Sequence, residues 1–117
     1  MSLDVYLTTA SLCPHCEGEL GSVEVFDANI THNLGDMAAA AGIYEYVWCP
    51  EEIQVTHAAQ LIPHLKAAIA EMEANPNHFK EYDHPGGWGR YEDFVPWLKK
   101  YLKACEEHPT AIISVSR

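Results

Sequence analysis

The chain has 117 residues, 48% hydrophobic and 21% charged, a balance that suits one globular domain with a real core and argues against disorder. Seven basic residues against seventeen acidic ones leave a formal charge of −10, and residues 1–65 contain no Lys or Arg at all. A nucleic-acid binder needs a basic face to neutralise phosphates, so this composition argues against DNA or RNA as a partner.

No stretch approaches the ~20 apolar residues of a membrane helix. The N-terminus shows no basic region followed by an apolar run, which predicts a protein of the cytoplasm. There the four cysteines, Cys13, Cys16, Cys49 and Cys105, are expected as reduced thiols.

In chain order, Leu3-Asp4-Val5-Tyr6-Leu7-Thr8 alternates apolar and polar residues and predicts a strand over 3–9. A second strand over 22–30 pairs with it in a long hairpin, across the turn Cys13-Pro14-His15-Cys16-Glu17-Gly18. Leu34, Met37, Ala38 and Ala41 recur at helical spacing, Gly42 fits a C-terminal cap after them, and Ile43 to Trp48 form a further short turn ended by Pro50, so that 33–48 is predicted as helical. Ala58, Leu61, Ile62, Leu65, Ala68, Ile69 and Met72 form one apolar stripe, predicting a helix over 56–74 capped by Thr56 and kinked at Pro63. Residues 76–89 are expected as loop. Tyr91, Phe94, Leu98, Tyr101, Leu102 and Cys105 define a last helix over 90–107, bent at Pro96, and a closing strand follows over 110–116. The fold class is α+β: a small antiparallel sheet of three strands, covered on one face by about three helices, in the order β-β-α-α-α-β. The predicted core is Leu3, Val5, Leu7, Val25, Met37, Leu61, Leu65, Ile69, Phe94, Leu98, Leu102 and Ile113.

Three places could carry chemistry. Cys13 and Cys16 form half of a zinc site, because a Cys-x-x-Cys turn aims two thiolates at one metal. His32 and Cys49 would be the best further ligands in chain order, with His15 and Cys105 behind them. The same turn resembles the redox site of oxidising thioredoxin-fold proteins, but Gly18 and Gly21 suit no helix after it. A plain hairpin turn with two unliganded cysteines competes with both. The second place is Asn29-Ile30-Thr31-His32-Asn33, where the second strand meets the first helix. A helix N-terminus there could take an anion without Lys or Arg, aided by Asn29, Thr31, His32 and Asn33. Simple capping by Thr31 or Asn33 competes with that reading. The third place is Gly87-Trp88-Gly89-Arg90, where Trp88 and Arg90 form a ligand-binding pair or a cover for the core edge.

Taken together, the blocks Asn-Ile-Thr-His-Asn-Leu-Gly-x-Met-Ala at 29–38, Ala-Gly-Ile-Tyr at 41–44, Trp48 with Pro50-Glu51-Glu52-Ile53, Gly-Trp-Gly-x-Tyr-Glu at 87–92, Tyr-Leu-x-Ala-Cys at 101–105 and the final Val-Ser-Arg resemble a group of small uncharacterised bacteriophage and prophage proteins. The resemblance implies a protein made in a bacterial cytoplasm during infection and attaches no activity to it. The pattern expects a basic residue where Cys49 stands. Two functions follow as expectations. One is a non-catalytic binding module for a metal ion, a small anionic ligand or a host protein. The other is a small zinc- or His-dependent hydrolase or transferase using His32. The chain offers His32 no second catalytic group nearby in sequence, which favours binding.

Overall fold

The computed structural model describes residues 2–12, 19–83, 86–87 and 89–117, with 10–12 and 19–23 described by backbone alone. Strands β1 (Ser2–Leu12), β2 (Glu19–Thr31) and β3 (Ile112–Ser116) form an antiparallel sheet in the order β2-β1-β3. Alternation along β1 buries Leu3, Val5 and Leu7 completely. Register then fixes the rest of that face. Ile30, Ala28 and Phe26 lie opposite these three on β2, and Val115 and Ile113 lie opposite Val5 and Leu7 on β3.

Val25 is not in the core as expected, but half-buried at its margin. Leu7 faces Phe26 whereas Thr8 faces Glu24, so Val25 is the extra residue of a β-bulge. One inserted residue reverses the inside-outside parity of a strand, which simple alternation cannot anticipate. The other face of the sheet carries Asp4, Tyr6, Asp27 and Asn29. Asp4 above all, with Glu24 and Asp27, pushes the Tyr6 hydroxyl above its ordinary pKa.

The helix expected over 33–48 is broken into three pieces. A 3-10 turn spans His32–Leu34, α1 spans Gly35–Ala40 and α2 spans Tyr44–Trp48. Gly42 separates the two helices at φ +75°, a conformation that glycine adopts without a Cβ penalty. Its N–H donates to Ala39 O and that of Ile43 to Ala38 O, at 3.0 and 2.9 Å, the paired bonds of a Schellman ending. Pro50 opens a second 3-10 turn through Ile53.

Helix α3 (Ala58–Ala74) starts after His57 rather than Thr56. Gln60 Oε1 accepts from both Thr56 N and His57 N, at 2.8 and 3.0 Å. A short α4 (Pro76–Lys80) stands where a loop was expected, with proline at its start and Phe79 buried. Five residues offer one buried apolar side chain and therefore no period to detect. Helix α5 (Tyr91–Glu107) begins where Asp83 Oδ1 accepts from Tyr91 N at 2.7 Å. Pro63 and Pro96 are exposed and neither ends its helix.

Helices α3 and α5 pack against each other and supply a large share of the core, through Leu61, Leu65, Ile69 and Met72 on one and Phe94, Leu98 and Tyr101 on the other. Lys66–Glu106 and Glu73–Lys99 pair at 3.5 and 2.9 Å across their exposed flanks. Leu102 and Ile113, expected inside, are half-buried against this core. The start of α3 is tied to β3 by Ala58 N to Ala111 O and Ile113 N to Thr56 O, both at 2.9 Å. Among the described residues, no helix is long and apolar enough to cross a membrane.

Candidate functional site

The joint between β2 and α1 opens on a cleft of about 580 Å³ lined by His32, Asn33, Gly35, Asp36, Tyr44 and Trp48. Thr31 builds the joint. Its Oγ1 accepts from Asn33 N at 3.3 Å and so caps the 3-10 turn. Gly89 closes over it from the loop before α5. A Cβ there would lie 3.1 Å from Asn33 Cβ and Thr31 Cγ2 and 3.3 Å from Leu34 Cγ, at a φ of +115° that favours glycine. The blocks 29–38 and 87–92, distant in sequence, therefore meet at this one place.

His32 is half-buried, and its Nδ1 accepts from the Trp48 indole N–H at 2.9 Å. An indole nitrogen only donates, so Nδ1 holds the lone pair and, in the neutral ring, Nε2 carries the proton. His32 is thereby fixed as a donor through Nε2. Among the described residues it makes no ion pair with a carboxylate. Trp48 is held in turn. Tyr44, one helical turn earlier on α2, stacks on it with ring centroids 5.3 Å apart and planes 15° apart, and Phe94 meets it edge-on at 6.2 Å. From behind, Arg117 Nη1 donates to Trp48 O and to Glu51 Oε1, each at 2.6 Å. Tyr44 remains 37% exposed, so part of its ring faces the cleft.

Of the residues singled out by sequence, His32 and Asn33 line the cleft and Thr31 caps its wall. Asn29 does not join them. Its side chain lies on the open face of the sheet, donating to Asp4 Oδ1 at 2.7 Å and Ser2 Oγ at 2.9 Å. Its backbone carbonyl accepts from the Trp97 indole at 3.1 Å. Arg90 is exposed, packs beside Gly87 and does not line this cleft. Trp88 lies outside the described residues. Sequence reasoning misses Tyr44 and Trp48, although two aromatics four apart in a short helical segment do share one face.

Cys13 and Cys16 also lie outside the described residues. His32 follows the Ser2↔Thr31 pair at one end of the hairpin, while Leu12↔Glu19 closes the other. At about 3.3 Å per residue those ends are ~33 Å apart, so His32 stands far from the point where the described part of the hairpin stops. The other two thiols, Cys49 and Cys105, are buried. Burial, helped by a hydrogen bond to Glu52, pushes Cys49 up to about 11. Burial pushes Cys105 up to about 12. Both are therefore neutral near pH 7. Among the described residues, no group of three or more His, Cys, Asp or Glu side chains is placed to hold a metal. Compared with family models, with curated proteins and with solved structures, the chain finds no match in any of the three.

Proposed function

We propose that the protein is a non-catalytic binding module, made in a bacterial cytoplasm, whose cleft at the β2–α1 joint takes a small flat group of a ligand or host protein. The carrying observation is the Trp48-to-His32 hydrogen bond, 2.9 Å long. It commits the His32 lone pair and leaves an N–H, so the ring is set to hold a ligand and not to remove its proton. Tyr44 adds an apolar platform over Trp48, and Asn33 and Asp36 supply polar groups around it. A few polar groups around an aromatic surface is the usual make-up of a small-ligand site. An anion is a poorer occupant than the sequence suggests. Helix α1 has only six residues, Asp36 sits in its first turn, and no Lys or Arg is among the described lining residues.

Benzamide, flat and neutral, is a suitable probe in two-dimensional amide NMR. Saturable shifts of the Trp48 indole and Gly35 amide signals are expected, and Tyr44→Ala should abolish them with the fold intact. Benzamide, benzamidine and benzoate all failing to shift those signals at ~10 mM, a concentration at which even weak fragments bind, would contradict the reading.

A further inference from the structure

Tyr44 stands between two hollows. A second one, of about 310 Å³, shares Ala39 and Tyr44 with the cleft and is lined further by Gly42, Glu45 and Tyr46. Tyr44 thus lines both hollows, with Asp36 lining the larger and Glu45 the smaller. Both carboxylates are exposed, and neither makes an ion pair among the described residues. Every described lining residue of both hollows falls within 32–48, inside the half of the chain that contains no Lys or Arg. Arg117 holds the Trp48 carbonyl and Glu51 and is not free to serve here.

A partly exposed tyrosine ring that shares its hollows with carboxylates is chemically suited to a flat cation. A guanidinium stacks on an aromatic face and forks onto a carboxylate, which a hydrated ammonium does less well. Two arginines at i and i+2 of an extended peptide project to one side ~6.6 Å apart, so both can face one surface. We propose that the paired hollows dock an arginine-bearing extended segment of a partner protein, with one guanidinium on Tyr44 beside Asp36 and the next beside Glu45. This rests on reading the cleft as a binding site.

The test is calorimetry and amide NMR with acetyl-Arg-Gly-Arg-amide and its citrulline and lysine counterparts, in buffer of about physiological salt to screen long-range attraction. Saturable binding of the arginine peptide near or below ~1 mM is expected, with the citrulline peptide at least about tenfold weaker and the lysine peptide clearly weaker than arginine. Asp36→Asn and Glu45→Gln should each weaken it by about fivefold. The double variant Asp4→Asn/Asp27→Asn, which removes two charges from the open sheet face, should change it less than about twofold. Equal loss in that control would reduce the effect to net charge and overturn the proposal. So would equal binding of the citrulline or lysine peptide. Benzamide binding without arginine-peptide binding would sink this inference alone, whereas no binding by any probe would sink the cleft reading with it.

Discussion

Two glycines separate local strain from close packing. Gly42 has φ +75° and nothing within 4 Å of where a Cβ would stand, whereas Gly89 has φ +115° and three side chains within 3.3 Å of that point. Gly42→Ala should therefore cost about 1 kcal/mol, from the left-handed backbone alone. Gly89→Ala should cost about 3 kcal/mol, because the joint must also move. Urea unfolding of the two variants checks the difference, and equal losses would mean that the loop before α5 does not press on Thr31 and Asn33. The buried thiols give a pH signature. Cys49 and Cys105 keep their protons to about 11 and about 12 in the fold, against 9.0 for an ordinary thiol. The stability contributed by burying them neutral is intact below pH ~9 and is lost as pH rises through the folded values. The gap in urea midpoint between the wild type and Cys49→Ala/Cys105→Ala should narrow from pH ~8 to ~11, and a constant gap would contradict the burial.

At the scale of elements, the long helices are legible in the sequence and the short ones are not. The stripe from Leu61 to Met72 and that from Phe94 to Cys105 repeat long enough to reveal a period, and each buries the face it predicts except at Ile62 and Leu102, which are half-buried. Leu65→Ala and Leu98→Ala, both fully buried where α3 meets α5, should each cost ~2–5 kcal/mol in urea unfolding. A loss near zero would mean that these helices do not share a core. The segment 33–48 is predicted as one helical stretch although Gly42 suits a C-terminal cap within it, and there the backbone does turn left-handed and ends α1. Phe79 alone cannot announce α4, and the bulge at Val25 hides the inward face of β2 from any alternation rule. At the joint, Thr31, His32 and Asn33 stand out as polar residues beside a predicted helix start. Tyr44 and Trp48 do not, because their part in the cleft depends on how α2 folds back after Gly42.

For the whole molecule, a sheet with one polar face and one face under α3 and α5 leaves the β2–α1 joint open at the surface. The parts of that joint come from across the chain: His32 after β2, Trp48 in α2, Gly89 before α5 and Arg117 at the last residue. Such a convergence gives a shaped cleft, and the Trp48 N–H decides what His32 can do in it. Nitrogen-15 NMR of the His32 ring tests this most directly, since it reports which nitrogen of the neutral imidazole bears hydrogen. Nε2–H with a bare, hydrogen-bonded Nδ1 is expected, shifting toward a mixture of tautomers in Trp48→Phe. A wild-type ring protonated at Nδ1, with its Nε2 lone pair free, would restore His32 as a base and contradict the account.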